Sequence, residues 1–330
     1  MRNCRPINGM KCFGVAVLCA IPLLAEPVLL IHDHAGKLLR QAPAVVRPEG
    51  MALASREALY GSASAVLIDD KGSVHQVLSV TAEDRDSGVV GLFVGRQVAP
   101  GPATASQPAT TVSSGGHSAQ AGEYRDSGGF GLVARLSCSG IGEVSGPLYN
   151  EHGFLAGWHS VRTVNGQPLT FAIPMERVSS GLTPIQPVGL AAWDGQRKAE
   201  ADEIYSKALA YMWAGDYEGA AFYWRKAREA EPGNARTWYH LAFAEGKTGH
   251  SREKTRCFRK AIELQPRFAA AHYDLGIGLA LSGDRDGAMN EVKALKLIDE
   301  GLSRRLEGFL GVVHTDELPA KKPPVRHTTV

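Results

Sequence analysis

From Ala63 onward, short apolar runs alternate with turn chemistry. Ala65 to Ile68 and Val74 to Val80 flank Asp69-Asp70-Lys71-Gly72, with Asp first and Gly fourth, as type I turns favour. Leu148-Tyr149 and Phe154 to Trp158 flank Asn150-Glu151-His152-Gly153 in the same way, and Gly88 to Val94 and Phe130 to Leu136 supply further β-rich runs. Several short strands joined by turns, with no 3.6-residue period, predict an all-β sandwich or barrel. Between Pro100 and Gly122 the composition shifts to Pro, Ala, Ser, Thr and Gly, which predicts a solvated loop.

The period changes at Ala201. Three blocks of 34 residues, Ala201 to Asn234, Ala235 to Phe268 and Ala269 to Leu302, match in register. Small residues recur at block position 8 (Ala208, Ala242, Gly276), and glycine recurs at position 15 (Gly215, Gly249, Gly283). Large apolar residues hold position 24 (Trp224, Phe258, Val292), Ala227, Ala261 and Leu295 hold position 27, and proline holds position 32 in two blocks (Pro232, Pro266). These blocks resemble tetratricopeptide repeats, helix pairs that stack into a solenoid. Ser303 to Leu310 then reads as a capping helix within 303–312, and 313–330 as a disordered tail. Pro184, Pro187 and Gly195 mark 183–200 as a linker.

At 330 residues and 44% hydrophobic, the chain can hold two domains with separate cores. Its N-terminus has the three parts of an export signal within 1–25: a basic start (Arg2, Arg5, Lys11), an apolar run from Phe13 to Leu24, and Ala25 before Glu26. Cleavage there would leave 33 Lys+Arg against 34 Asp+Glu, so charge supplies no case for nucleic acid or an anionic membrane. The expected location is periplasmic or secreted, with membrane association only if the signal stays. Cys4, Cys12 and Cys19 would leave with it; Cys138 and Cys257 fall in different domains, so no disulfide is expected. His32-Asp33-His34 carries metal-ligand types, but three adjacent residues rarely converge on one ion; an exposed linker is expected, with no metal and no cofactor.

Gly142-Glu143-Val144-Ser145-Gly146-Pro147-Leu148, followed by Phe171-Ala172-Ile173-Pro174, resembles the end of a trypsin-like serine protease of the HtrA type. That family carries Gly-x-Ser-Gly-Gly-Pro-Leu, so Val144 stands in the nucleophile's slot. Laying its remaining pattern over 35–182 puts Ser79 where the histidine base belongs and Gly88 where the aspartate belongs. The resemblance implies a trimmed double β-barrel whose triad positions are all substituted. Serine attacks only when an imidazole takes its proton and a carboxylate fixes that imidazole's tautomer, so no catalytic residue is expected. A shifted register offers Ser145 as nucleophile with His75 as base and Asp84 or Asp86 as partner. Sliding four residues along a strand moves a side chain about 13 Å, however, which leaves His75 on the wrong level. Asp126-Ser127-Gly128-Gly129 has the look of a protease signature without the following Pro-Leu, and is expected to be a polar turn.

Likeness to tetratricopeptide repeats implies a concave groove lined by positions 2, 5, 9, 12 and 13 of each first helix. These are Asp202, Tyr205, Leu209, Met212 and Trp213; then Arg236, Tyr239, Phe243 and Lys247; then Tyr273, Ile277 and Leu281. An aromatic and apolar wall favours another protein or an extended peptide as partner. Packing of the three tyrosines against neighbouring helices or the β domain is the other reading. The chain as a whole reads as an all-β, trypsin-like double barrel followed by an all-α solenoid. Its expected function is an exported, catalytically inactive interaction scaffold. A divergent endopeptidase whose repeats recruit substrate is the alternative, and an envelope chaperone or assembly factor is a third.

Overall fold

The computed structural model describes residues 26–47, 49–95, 101–126, 131–137, 141 and 144–312. The expected signal, the expected tail, Cys138 and Ser127-Gly128-Gly129 lie outside the described residues. Strands β1 (Val28–His32), β2 (Leu38–Val46), β3 (Met51–Ser55), β4 (Ser64–Ile68), β5 (Val74–Gln76), β6 (Ser79–Asp84) and β7 (Val89–Phe93) form the first sheet, in the order β6-β7-β3-β2-β1-β4-β5. β5 runs into β6 through Val77 and Leu78, whose amides donate to the carbonyls of Ala65 on β4 and Phe93 on β7. One continuous segment thus changes partner, and the sheet closes on itself. Leu29, Ile31, Leu53, Leu67, Val80, Val90 and Leu92 fill the inside. Inward and outward positions alternate along β6, so the pleat that buries Val80 and Ala82 also buries Asp84 at the strand's end.

The second sheet holds β8 (Thr111–Ser114), β9 (His117–Ala121), β10 (Arg125–Asp126), β11 (Leu132–Ser137), β12 (Gly146–Tyr149), β13 (Leu155–Val164) and β14 (Gln167–Pro174). β11 pairs with both β14 and β9, which closes this sheet as well. Its longest hairpin turns at Asn165-Gly166, both with positive φ (50° and 75°), as a two-residue type I′ turn demands. Both turns expected from the sequence are present, with the Gly72 and Gly153 amides donating to the carbonyls of Asp69 and Asn150; the Asp69 carboxylate also accepts from the Lys71 and Ser73 amides, and the Asn150 side chain from those of His152 and Phe154. The barrels abut where Gly146 meets Pro43, and a Cβ on Gly146 would fall 2.6 Å from Pro43 Cγ.

Several boundaries differ from the sequence reading. The β domain begins at Val28, and His32-Asp33-His34 ends a strand and enters a turn in which Asp33 caps the amides of Ala35 and Lys37. The expected solvated loop contains the β8–β9 hairpin, which buries little besides Val112 and Ala119 and so left almost no apolar alternation to read. The expected linker is structured: β15 (Thr183–Val188) pairs with β6, and Leu190 and Trp193 of α2 (Leu190–Gln196) enter the first barrel's core. Helix α1 (Met175–Gly181) precedes them and packs on β13, β14 and β6.

The three blocks fold as three helix pairs: α3 (Ala199–Ala214) with α4 (Tyr217–Ala230), α5 (Ala235–Lys247) with α6 (Ser251–Leu264), and α7 (Ala269–Leu281) with α8 (Arg285–Lys296). Gly215, Gly249 and Gly283 end the first helix of each pair at φ of 81°, 88° and 83°, where any side chain would be strained. Asp216 caps α4, Asn234 caps α5 and Asp284 caps α8 through their side chains. Trp224, Phe258 and Val292 are buried between the pairs. Helix α9 (Glu300–Val312) caps the stack and begins three residues earlier than expected. Gly276 admits it, since a Cβ there would lie 2.4 Å from Leu306 Cδ2. Among the described residues no helix is long and apolar enough to cross a membrane, and no group of His, Cys, Asp or Glu could hold a metal.

Candidate functional site

The positions that the protease resemblance assigns to a triad carry other chemistry. Ser79 opens β6 opposite Phe93. Gly88 turns the chain into β7 at φ 71°, and a Cβ built on it would lie 3.0 Å from Arg162 Nη2, so a side chain there meets both backbone strain and a guanidinium. Val144 is 43% exposed, and its carbonyl accepts from Nε2 of His159 at 2.8 Å. Burial lowers the pKa of His159, which favours a neutral ring with its proton on Nε2. The fallback trio is not assembled. His75 is paired with Asp69 at 2.9 Å on the β4–β5 hairpin, and Ser145 Oγ accepts from the Val161 amide at 3.2 Å. Asp86 faces the helices. The four-residue slide along the strand argued against His75 as base but held no information on which partners would claim these residues.

The expected binding wall requires a larger correction. Tyr205, Leu209, Met212, Trp213 and Tyr239 are buried. Trp213 stands edge-on to Phe171 of the second barrel at 5.5 Å, so one apolar core runs from that barrel into the first repeat. Tyr239 donates to Asp274 at 2.6 Å and packs at a tilt against Phe258 and Phe268. Phe243, Tyr273 and Ile277 are half-buried against the same core, while Lys247 and Leu281 remain exposed. The first repeat's wall is therefore an internal surface. The second and third repeats keep the open part.

What the sequence reading missed is the polar seam between β domain and helices, built around the β6–β7 turn. Asp86 accepts from Arg236 Nη1 at 2.5 Å, from Arg177 Nη2 at 3.3 Å, from Tyr205 Oη, and from His240 Nε2 at 3.3 Å. Asp84 accepts from Arg177 at 3.2 Å and from Arg236 at 3.5 Å, and also from the amides of Asp86 and Ser87. Gly181 makes room for this, because a Cβ there would fall 2.3 Å from Asp84 Oδ2. Arg85 points the other way, to Asp202 at 2.8 Å and Glu231 at 2.5 Å, with its guanidinium 4.3 Å from the centre of the Tyr205 ring. Asp202 also holds Arg56 at 3.0 Å and Arg197 at 3.1 Å. Arg162 joins Glu57 to Ser206 and lies over Trp213.

The two carboxylates of the turn are electrostatically unequal. Burial alone would raise the pKa of Asp86, but Arg236, His240 and Arg177 overcome it and hold this carboxyl well below its usual range. Burial raises the pKa of Asp84, and the charge of Asp86 beside it adds to the effect; two arginines only partly offset that. Burial likewise pushes the Tyr205 hydroxyl well up, which keeps it a donor to Asp86. Two open clefts of about 500 and 580 Å³ flank the seam. Glu57, Arg162 and Lys207 line one, and Glu83, Arg85 and Glu231 the other; mixed charge in both favours no ligand of one sign.

No family model matches the chain, and no curated protein matches it. Among solved structures, the chain is similar to the active form of the Rv3671c protease from M. tuberculosis, at 16% identity and a TM-score of 0.38, over 50% of this chain and 84% of that one. It is also similar to the TPR2B domain of yeast Sti1 in its pHsp70 complex, at 18% identity and a TM-score of 0.34, over 36% of this chain and 100% of that one. The Yersinia enterocolitica type III secretion translocator chaperone SycD matches at 16% identity and a TM-score of 0.34, over 40% of this chain and 95% of that one.

Proposed function

We propose that the protein is an exported, non-proteolytic scaffold whose helical repeats bind another polypeptide and whose β domain serves as their rigid support. The observation that carries the non-proteolytic half is the dispersal of nucleophile, base and carboxylate. The Val144 side chain carries no nucleophilic atom, and His75, Asp86 and Ser145 each serve other partners. The binding half is supported by what the seam leaves open. Lys247 and Leu281 are exposed beside the half-buried Phe243 and Ile277, and Lys247 Nζ lies 5.3 Å from the Phe243 ring centre. An apolar strip with a cation at its rim suits an extended or helical peptide.

Each half has its own experiment. A fluorophosphonate probe should leave the purified protein unlabelled, and labelling that Ser145→Ala abolishes would overturn the first half. Crosslinking capture from an envelope fraction should weaken several-fold in Lys247→Glu with Ile277→Asp at unchanged helical content. Undiminished capture would remove the groove from the reading.

A further inference from the structure

The groove already holds something. At its N-terminal end, three consecutive residues of the β6–β7 turn are read in order by side chains of opposite character. Asp84 and Asp86 are met by Arg236, and Asp86 by Tyr205 and His240 in addition; Arg85 between them is met by Asp202 and Glu231 and by the Tyr205 ring. These groups come from α3, from α5 and from the residue that follows α4, so both of the first two helix pairs take part. The turn is pre-shaped for the role, since the Asp84 carboxylate accepts from the amides of Asp86 and Ser87 and fixes the loop's own backbone. Asp202, Tyr205 and Arg236 are also groove positions by repeat register, the places where such an array offers side chains to a ligand. Contacts of opposite charge on one short, internally ordered turn are those of a peptide in a receptor; α3 also meets the β domain apart from the turn, through Phe171 with Trp213, Arg162 with Ser206 and Asn165 with Tyr211.

We propose that the Asp84-Arg85-Asp86 turn is a tethered ligand, closing the N-terminal subsite of the groove in cis, and that this subsite recognises an exposed turn with the same acid-base-acid order. The inference rests on the reading of the repeats as a binding module. It adds the chemistry of one subsite and the reason that the subsite is closed: partners of the resting protein reach only the second and third repeats, and a competing turn must first displace the internal one.

The test uses the full chain and a fluorescein-labelled peptide spanning Ala82 to Val90. Wild type should bind it at least tenfold more weakly than a variant whose own turn is neutralised by Asp84→Ala, Arg85→Ala and Asp86→Ala. Adding Arg236→Glu to that variant should abolish the binding, and a peptide with the three charges reversed should not bind. A variant with wild-type helical content that binds the peptide no better than wild type overturns the proposal. Should the variant lose its helical signal, hydrogen exchange of wild type in millimolar peptide decides. Protection of Val80 to Val90 falls if the peptide displaces the turn, and unchanged protection refutes the tethered ligand. Capture through Lys247 and Ile277 is read separately, so either reading can fail alone.

Discussion

Replacing Asp86 by asparagine keeps the volume and one carbonyl oxygen but removes the charge that Arg236, Arg177 and His240 face. The side chain is buried, and its loss leaves two guanidiniums with Asp84 as their shared carboxylate. Hydrogen bonds to charged groups contribute about 1.5–3 kcal/mol each, and breaking one side of a buried pair costs about 3–5 kcal/mol. Because the amide oxygen still accepts, Asp86→Asn is expected near the lower bound, about 3 kcal/mol. With an unfolding entropy of about 2.1 cal/mol/K per residue, a chain of 330 residues loses roughly 1.5 °C per kcal/mol, so the melting temperature should fall by roughly 4–5 °C. Asp84→Asn should cost about 1 kcal/mol, because burial and the neighbouring charge already disfavour its ionised form. The pH dependence follows from linkage. The folded-state pKa of Asp86 lies below its ordinary value of 3.8, so its contribution is complete above that value and is lost as pH falls through the folded pKa. Wild type and Asp86→Asn should therefore differ by a constant amount from about pH 5 to pH 8 and converge below about pH 4. Thermal melts followed by circular dichroism across that range measure it. A change under about 0.5 kcal/mol at pH 7, or a larger cost for Asp84→Asn, would refute the assigned inequality of the two carboxylates.

Gly276→Ala should cost about 1–3 kcal/mol by driving a methyl into Leu306, and exchange protection should fall in α9 before it falls in α5. Equal protection throughout would mean that α9 does not depend on that close approach. The folded pKa of His159 lies below its ordinary value of 6.5, so its stabilising contribution is present above that value and is lost as pH falls through the folded pKa. His159→Gln, which still donates to the Val144 carbonyl, should flatten the stability profile just below pH 6.5, and an unchanged profile would locate the acid sensitivity elsewhere.

The repeats were legible in sequence because their constraints are local and recur: a glycine at positive φ every 34 residues and a buried aromatic or valine nine positions later. The turns at Asp69 to Gly72 and Asn150 to Gly153 were legible for the same reason. β15 was not, because its prolines read as punctuation and its exposed pattern carries no apolar alternation; only pairing with a strand far back in the chain reveals it. The seam was illegible for a related reason. Asp84 and Asp86 look like surface turn residues until the helices are laid against them, and Tyr205 and Arg236 look like groove residues until the turn fills the groove. Gly88 entered the sequence reading only as a substituted triad position, whereas its positive φ and its distance from Arg162 are what give the glycine a role there.

The pairing of β15 with β6 orders events during synthesis. β6 leaves the ribosome with one flank on β7 and the other waiting, and the strand for that flank follows only after the whole of the second barrel. The N-terminal unit is thus begun first and finished second, with Leu190 and Trp193 sealing its core last. An emerging chain that stalls before Thr183 would present the edge of β6, with its buried carboxylate still unmatched by the repeats, to whatever strand came near.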